Sequence, residues 1–362
     1  MTPVRLIALY LPQFHPVAEN DEWWGRGFTE WTNTAKARPL FPGHYQPHVP
    51  ADLGFYDLRL AETREDQANL ARQYGIEAFC YYHYWFGNGR RILERPFNEV
   101  VASGKPDFPF CLCWANETWT GIWHGAGNHI LIEQTYPGEA DHRAHFDSLL
   151  PAFADRRHIT IDGKPVFCIY KPEKLPDARR ALDLWRSMAR AAGLAGLHVL
   201  GVSADGKWAP EANGYDGKIC QPLILNRPWV SKRQPIKWLK RQAAIIAGLP
   251  TFHPAAHFVS ELEALRSLPY EWHPCLIHAW DNTPRSGKNG VVLRGASPEQ
   301  FSRLINAALD LTSRYEPERR LIFLKSWNEW AEGNHLEPDL RDGCGYLRVL
   351  GDAMAVGEDS QR

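Results

Sequence analysis

The sequence predicts an α/β protein built on a single (β/α)8 (TIM) barrel. Short apolar runs recur eight times along the 362 residues, and longer amphipathic segments separate them. The runs are apolar throughout rather than alternating, which is typical of parallel strands buried on both faces. Eight such strands over about 330 residues fit a closed barrel with insertions. A doubly wound open sheet is the competing fold, but no G-x-G-x-x-G follows the first strand, which disfavours its dinucleotide-binding version.

The eight apolar runs define the predicted barrel strands, at residues 4–11, 76–82, 108–114, 165–170, 198–203, 217–221, 274–280 and 321–327. The predicted helices lie between them, at residues 58–74, 92–103, 140–154, 178–192 and 298–312. The last helix has the clearest start, because Ser297 stands at the N-cap, Pro298 at the first helical position and Gln300 three residues after the cap. Asp57 and Asp177 are the predicted caps of two other helices.

Two insertions exceed what a minimal barrel needs. Residues 12–56 follow the first strand and are rich in Trp, Phe, Pro, Gly and His, whereas residues 222–259 follow the sixth and contain Trp229, Trp238 and several basic residues. Loops of this length are usually functional or disordered, and their aromatic content argues against disorder. The sequence therefore predicts one catalytic domain at residues 1–356, with a disordered tail at 357–362.

Charge and cysteine usage narrow the protein class. The formal net charge of −1 gives no electrostatic argument for a nucleic-acid partner or an anionic membrane. No apolar stretch approaches the ~20 residues of a membrane span, and the first residues lack the features of a signal peptide. The 7 cysteines form no C-x-x-C pair, and most lie in strand-like runs, which indicates reduced thiols. These observations predict a soluble cytoplasmic protein.

Aromatic residues suggest a carbohydrate site. The chain has 15 Trp, and many of them stand beside Gly, Asn, His and Glu in irregular stretches. Trp and Tyr combine a flat apolar face with a polar edge, which suits the C–H faces and hydroxyl edges of sugars. A large barrel also buries many aromatic side chains in its core. A core does not require its aromatic residues to cluster in loops, so the clustering of Trp in loops favours the sugar site.

Polar and aromatic residues gather where the predicted strands end, which is the face of a barrel that carries the active site. The predicted substrate-binding residues are Tyr10, Gln13, His15, Trp24, Glu30, Trp31, Tyr82, His83, Trp85, Trp114, Asn116, Glu117, Tyr170, Gln221, Trp280, Asp281, Trp327, Asn328, His335 and Glu337. Glu30 and Glu117 are also candidate acids, but sugar binding or a structural hydrogen bond is the favoured role of each.

Glu329 and Glu332 are the predicted catalytic residues. Glycoside cleavage commonly needs one protonated and one ionised carboxyl group, and residues three apart share a face in a helical turn. Close carboxylates split their pKa values, and the flanking Trp327 and Trp330 would assist by desolvation. The alternative is a pair of solvated acids at a helix start. Their place at the end of the last barrel strand favours catalysis.

No metal or cofactor site is predicted. The spacing of the histidines matches no H-E-x-x-H pattern, so sugar contacts or structural hydrogen bonds are favoured for His15, His44, His48, His83, His278 and His335. The sequence also contains no P-loop, no G-x-S-x-G elbow and no nucleotide-sugar Asp-x-Asp motif. The missing Asp-x-Asp disfavours a metal-dependent sugar-nucleotide transferase.

Several strings resemble the WbsX-type family of bacterial polysaccharide and O-antigen gene clusters. They are YLPQFHP at 10–16, NDEWWG at 20–25, GFTEWTN at 27–33, YQPH at 45–48, WANE at 114–117 and WNEWAEGNHLEP at 327–338. Members of that family are often labelled glycosyltransferases, yet the family is similar to glycoside hydrolase family 99, the endo-α-mannosidases and endo-α-mannanases. The similarity to the hydrolases rests on residues 328–337.

The resemblance implies separate roles for the two glutamates. Glu329 would act as a base on the 2-hydroxyl of the sugar, which attacks the anomeric carbon to give a 1,2-anhydro sugar. Glu332 would be the general acid and then the base, so that configuration is retained without a protein-bound intermediate. The sequence thus predicts a retaining, glycoside hydrolase-like enzyme acting on a bacterial polysaccharide or O-antigen glycan, with an oligosaccharide or polysaccharide as its partner. A transferase or transglycosylase of lipopolysaccharide biosynthesis and a non-catalytic glycan-binding barrel are the alternatives.

Overall fold

Eight parallel strands close into a barrel in the computed structural model, which describes residues 4–121, 129–222, 239 and 246–359. The strands are β1 (Arg5–Tyr10), β2 (Ile76–His83), β3 (Phe110–Trp114), β4 (Lys164–Ile169), β5 (His198–Ser203), β6 (Gly217–Cys220), β7 (Trp272–Ile277) and β8 (Leu321–Lys325). Each strand pairs with its neighbours in the chain, and β1 pairs with β8. The predicted barrel is confirmed and the open sheet is excluded, because the eight strands pair in a closed ring.

The helices of the described residues are α1 (Ala18–Trp24), α2 (Glu30–Lys36), α3 (Ala61–Gln73), α4 (Arg95–Ser103), α5 (Glu139–Phe153), α6 (Ala178–Ala191), α7 (His257–Glu263), α8 (Thr283–Ser286), α9 (Pro298–Thr312) and α10 (Gly345–Asp359). Short 3-10 helices lie at Pro172–Lys174, Glu211–Asn213, Ala264–Ser267, Gly287–Asn289, Pro317–Arg319 and Trp330–Glu332. Short strands outside the barrel are Trp119–Thr120, Ile130–Ile132, Thr160–Ile161, Thr251–Pro254, Val291–Arg294, Asn328–Glu329 and Asn334–His335. Strands and helices thus alternate around the barrel.

The helix caps agree only partly with the predictions. Ser297 caps α9 as predicted, because its side chain accepts a hydrogen bond from the Gln300 amide at 3.2 Å. The cap predicted at Asp57 is wrong, because its carboxylate accepts from Arg59 and α3 begins later, at Ala61. Asp177 does occupy the N-cap of α6, but its side chain makes no capping hydrogen bond.

The core fills the barrel and the layer beneath the helices. The barrel strands are buried on both faces. In β8, for example, all 5 residues are buried. This is why the strands are apolar throughout rather than alternating. All seven cysteines are free thiols, and Cys344 alone among them is not buried. Among the described residues, none of the helices is long and apolar enough to cross a membrane.

The insertion at 12–56 carries α1 and α2 and lies over the end of the barrel. Its backbone is tied to the chain after β8, because the amide of Ala51 donates to Pro338 and the amide of Leu340 donates to Val49. The second predicted insertion, at 222–259, lies largely outside the described residues, including Trp229 and Trp238. The predicted tail at 357–362 overlaps the end of α10, which extends to Asp359.

Candidate active site

A cavity of about 410 Å³ opens at the carboxyl ends of the barrel strands. It is lined by Leu11, Gln13, Glu30, Tyr82, Tyr84, Ala115, Glu117, Thr118, Trp119, Thr120, Leu131, Tyr170, Lys171, Gln221, Trp280, Asn282, Arg285, Val291, Lys325, Glu329 and Glu332. Most of these residues follow a barrel strand directly, whereas Glu30 comes from the insertion at 12–56. The cavity therefore occupies the position at which barrel enzymes carry their active site.

A tight hairpin after β8 presents the two central carboxylates. The strands Asn328–Glu329 and Asn334–His335 pair antiparallel, and the 3-10 helix Trp330–Glu332 connects them. Gly333 closes the turn with a φ of 54°, and a Cβ at this position would lie 2.9 Å from the Cβ of Asp281. Glycine is thus required for both its left-handed backbone and its small size. The turn brings Glu329 and Glu332 to the same wall of the cavity.

One guanidinium contacts three carboxylates in this wall. Arg285 donates to Glu30 Oε2 through Nε at 3.0 Å and through Nη2 at 2.7 Å. The same Nη2 lies 3.1 Å from Glu329 Oε2, and Nη1 lies 2.5 Å from Glu332 Oε1. The fork of donors on arginine suits several carboxylates at once, and the three acids raise the pKa of Arg285 although burial opposes its charge.

Lys325 is a second buried cation in the cavity. Its Nζ lies 4.0 Å from Glu332 Oε2 and 3.4 Å from the Tyr82 hydroxyl. The rings of Tyr82, Tyr170 and Trp280 surround the ammonium at 5.5 to 5.9 Å from their centroids. Burial disfavours the charged amine, but Tyr170 and the two glutamates together raise the pKa of Lys325 overall.

The environment of Glu329 favours its protonated form. Burial and the neighbouring Glu332 carboxylate raise the pKa of Glu329 to about 7, although Arg285 and Lys325 oppose this shift. The carboxyl group can therefore exchange a proton near neutral pH. Glu332 offers an open acceptor, because its buried Oε2 has no hydrogen-bond partner within the described part of the chain.

The structure brings part of the predicted site together. The predicted residues that line the cavity are Gln13, Glu30, Tyr82, Glu117, Tyr170, Gln221, Trp280, Glu329 and Glu332. Glu117 forms ion pairs with Lys171 at 3.8 Å and with Lys174 at 3.4 Å, so positive charges compensate its carboxylate. Four further residues that line the cavity were not predicted from the sequence: Arg285, Lys325, Tyr84 and Trp119.

The other predicted substrate-binding residues do not line the cavity: Tyr10, His15, Trp24, Trp31, His83, Trp85, Trp114, Asn116, Asp281, Trp327, Asn328, His335 and Glu337. Most of these side chains are buried against protein partners instead. Tyr10 donates to Gln67 Oε1 at 2.7 Å inside the core, and His83 bonds His145 at 2.8 Å. Asn116 donates to the Lys171 carbonyl at 2.9 Å.

Asn328 and Glu337 belong to the layer that supports the hairpin. The amide of Asn328 accepts from the Leu11 N–H at 2.7 Å and donates to the Leu11 carbonyl at 3.0 Å, as a backbone neighbour would. Glu337 accepts hydrogen bonds from Tyr56, Gln67 and Trp330 at 2.6 to 2.8 Å. Burial raises the pKa of Glu337 to about 7 despite these donors.

Side chains that could bind a metal ion form groups elsewhere in the described structure. Three groups of at least three side chains bring His, Cys, Asp or Glu ligand atoms within 4.8 Å of one another. They are Cys80, Cys111 and Cys168; His48, His335 and Asp339; and His198, Glu271 and His273. In the part of the chain that the structure describes, none of the three groups lines the cavity.

Paired carboxylates lie among aromatic rings at the carboxyl ends of the strands, so the fold and the site define a TIM barrel with a candidate active site at that end. The family model described as "Glycosyltransferase WbsX" matches residues 6–350. The chain belongs to this family, which confirms the resemblance found in the sequence.

Two curated relatives extend over the whole chain. The WxcX protein of Xanthomonas campestris pv. campestris strain ATCC 33913 is 34% identical over 359 residues, which cover 99% of this chain and 50% of the relative. The WxcX protein of strain B100 is 35% identical over the same length. The chain thus spans about half the length of the curated relatives it matches.

Solved structures share the fold at low identity. A glycoside hydrolase-like protein superposes with a TM-score of 0.59 and 14% identity, covering 98% of this chain and 94% of its own. A GH99 endo-α-mannosidase from Bacteroides thetaiotaomicron superposes with a TM-score of 0.57 and 12% identity, covering 99% and 98% of the two chains. At these identities the similarity shows the common barrel.

Proposed function

We propose that the protein is a retaining, glycoside hydrolase-like enzyme that cleaves bacterial polysaccharide or O-antigen-type glycans, with α-mannosides as the first substrates to test. One observation carries this proposal: Glu329 and Glu332 share the Arg285 guanidinium in a cavity at the end of β8. Paired carboxyl groups that exchange protons with a sugar are the common requirement of glycoside cleavage. Endo-α-mannosidase is the activity named for one of the structural neighbours.

In the first step, Glu329 takes the proton from the sugar 2-hydroxyl, whose oxygen bonds to the anomeric carbon. The bond from that carbon to the leaving oxygen breaks, and Glu332 gives its proton to the leaving oxygen. In the second step, Glu332 takes a proton from water as the water oxygen opens the 1,2-anhydro ring. Glu329 then returns its proton to the 2-oxygen, and two inversions give net retention.

The geometry around Arg285 supports this exchange of charge. During the first step negative charge moves from Glu329 to Glu332, and the guanidinium contacts both carboxylates. Arg285 therefore stays in contact with whichever of the two glutamates carries the negative charge. Lys325 lies beside Glu332, the glutamate that becomes a carboxylate in this step. Fixed cations that need no reorganisation lower the barrier of such a step. The pKa of about 7 also matches Glu329 to base catalysis near neutral pH.

The cavity suits a sugar in size and chemistry. Its volume of about 410 Å³ lies within the ~300–1,000 Å³ usual for small-molecule sites. Trp119, Trp280 and Tyr170 provide ring faces, and Gln13 and Gln221 provide amide groups for hydroxyls. Aromatic faces beside amides match the two surfaces that a sugar presents.

A reaction assay separates the candidate functions. The protein is incubated with α-mannoside oligosaccharides, with and without sugar nucleotides, and the products are identified by mass spectrometry and NMR. Release of a sugar of retained configuration without a nucleotide supports the proposal. Product that forms only with a nucleotide supports a transferase, the activity in the name of the family. Binding without turnover supports a glycan-binding barrel.

Replacing either catalytic glutamate tests the assigned roles. Glu329→Gln and Glu332→Gln should each lower kcat/KM by at least ~100-fold, because each removes a proton-transferring group and keeps its shape. Circular dichroism and Tm check that both variants stay folded. Glu117→Gln is the matched control, since this glutamate also lines the cavity but is ion-paired with lysines. Wild-type rates in both catalytic variants would refute the mechanism.

A further inference from the structure

A second group of polar side chains lies next to the hairpin that carries Glu329 and Glu332, outside the residues that line the cavity. His48 comes from the insertion at 12–56, His335 from the second strand of the hairpin, and Asp339 from the segment that follows it. His48 Nδ1 lies 2.8 Å from His335 Nε2, and these two nitrogens lie 3.7 Å and 3.9 Å from Asp339 Oδ2. Three potential ligand atoms thus face a common point.

The spacing of these atoms fits a tetrahedral metal ion. Bonds of about 2.05 Å at tetrahedral angles place neighbouring ligand atoms about 3.3 Å apart. The three observed separations, 2.8, 3.7 and 3.9 Å, fall on both sides of that value. Shifts of about half an ångström in the side chains would bring the three atoms to the separations that a tetrahedral ion requires.

The remaining polar atoms of His335 and Asp339 are held by the protein backbone. His335 Nδ1 donates to the Glu337 carbonyl at 2.8 Å, so the proton of the neutral ring is on Nδ1 and the lone pair is on Nε2. The His335 ring also stacks on Trp330, with centroids 3.7 Å apart. Asp339 Oδ1 accepts from two backbone amides, those of Arg341 and Asp342, which leaves Oδ2 directed at the histidines. Metal-binding histidines and carboxylates are usually oriented by such outer contacts.

Room for a fourth ligand lies beside the group. A cavity of about 20 Å³ is lined by His48, His335, Asp339 and Asp342, among others. A single water needs roughly 10–15 Å³. This space admits one water beside the three side chains.

We propose that His48, His335 and Asp339 bind one divalent transition-metal ion, with Zn²⁺ as the probe ion and a water as the fourth ligand. Two imidazoles and a carboxylate form a borderline donor set that suits Zn²⁺ better than Ca²⁺ or Mg²⁺. His48 binds through Nδ1 and carries its proton on Nε2. The ion links the insertion at 12–56 to the hairpin that carries Glu329 and Glu332. This inference does not depend on the glycan chemistry proposed above.

Zinc binding to the full chain provides the direct test. Protein stripped with a chelator is titrated with Zn²⁺ against a chromophoric competitor, and Tm is measured in parallel. We expect one ion per chain from this site and a Tm that rises with Zn²⁺ concentration. An anomalous-difference peak at the zinc edge should lie ~2.0–2.2 Å from the three ligand atoms. No peak there, or no binding below ~100 µM Zn²⁺, overturns the proposal in favour of a plain hydrogen bond between the two histidines.

Two variants locate the binding. His48→Gln and Asp339→Asn should each weaken zinc binding at this site by at least ~10-fold. Asp339→Asn keeps the oxygen that accepts the two backbone amides, so the turn stays intact and the variant reports on the ligand atom. His257→Gln removes an exposed imidazole and serves as the control for adventitious binding. Unchanged affinity in both ligand variants places the ion elsewhere, for example at His198, Glu271 and His273, and contradicts the proposal.

Discussion

Arg285 and Lys325 are two cations facing three carboxylates, those of Glu30, Glu329 and Glu332. Five formal charges in a buried wall would leave one negative charge uncompensated, which is costly away from water. One proton shared within the set restores neutrality. The raised pKa of Glu329 follows from this charge balance as well as from burial. The paired glutamates can thus share a single proton, which the proposed mechanism requires on Glu332 when the first step begins.

The pH dependence of kcat/KM reports the role of Glu329. A base must be ionised to act, and the pKa of Glu329 is raised to about 7. The rate should therefore rise with pH through about 7 and fall on the acid side. The measurement is kcat/KM on an α-mannoside between about pH 5 and pH 9. A rate that instead falls as pH rises through about 7 assigns Glu329 the acid role.

Substitutions of the charged neighbours of Glu329 should shift the acid limb, the part of the kcat/KM profile that rises with pH, in opposite directions. Arg285 lowers the pKa of Glu329, so Arg285→Met should shift the limb to higher pH. Glu30 raises the same pKa, so Glu30→Gln should shift the limb to lower pH. Tm measured on both variants separates this effect from loss of fold, because each change alters a buried ion pair. Shifts of the same sign in the two variants contradict the electrostatic assignment.

Only part of this wall was predictable from sequence. Glu329 and Glu332 stand out because of their spacing and their place after the last apolar run. Arg285 lies 44 residues before Glu329, in the four-residue helix α8, which carries no sequence motif, and only the fold brings it to the carboxylates. Lys325 lies inside an apolar strand run, and that was a usable signal, because a buried lysine needs a partner. The grouping of His48 with His335 was not predicted for the same reason that applies to Arg285, since the two residues are 287 positions apart in the sequence.

Asp281, in the segment between β7 and α8, joins the insertion to the hairpin. Its carboxylate accepts from His44 at 2.6 Å, from Gln46 at 2.7 Å and from the Thr283 hydroxyl at 2.6 Å. Its backbone amide donates to the Glu332 carbonyl at 2.6 Å. Burial opposes its charge, but the hydrogen bonds from His44, Thr283 and Gln46 together lower the pKa of Asp281. A loop, a short helix and the hairpin therefore meet at one carboxylate.

Asp281→Asn should destabilise the protein by ~1.5–3 kcal/mol at neutral pH, because hydrogen bonds to a charged acceptor are lost. A carboxyl group whose folded pKa is lowered contributes stability above its unfolded pKa and loses it as pH falls through the folded value. The difference from the wild type should therefore shrink below about pH 4. The measurement is the free energy of unfolding in urea for the variant and the wild type, at neutral pH and below about pH 4. The control is Asp183→Asn on the exposed face of α6, for which we expect a change within ~0.5 kcal/mol.

Most elements were predictable because burial on both faces dictates their composition. β5 and α9 have the predicted limits, and the other predicted strands and helices overlap the observed ones. β7 differs most, since it spans Trp272–Ile277 rather than 274–280. The apolar Ala279 and Trp280 continue the run beyond the strand, and Trp280 lines the cavity. Helices α1 and α2 were not predicted, because 7 residues carry little helical signal and packing against the barrel stabilises them.

At the scale of the whole molecule, the closed barrel shields nearly all of its thiols. Cys80, Cys111 and Cys168 are fully buried beside one another in the core, and Cys344 is partly accessible. A thiol reagent should therefore modify about one cysteine per native chain rapidly and all seven after unfolding in guanidinium. Cys344→Ser, as the control, should remove the fast phase. Rapid reaction of several thiols in the native protein would contradict the closed barrel.

The pairing of β1 with β8, extended by Asn328 to Leu11, joins strands from opposite ends of the barrel sequence. While the ribosome is still adding residues 280–320, β1 and β7 are both open edges with unpaired N–H and C=O groups. The carboxylate pair has not yet been synthesised at that stage. A translation product that stops before β8 therefore lacks both glutamates of the proposed site and is prone to edge-to-edge aggregation, and the site forms only when the final strand closes the barrel.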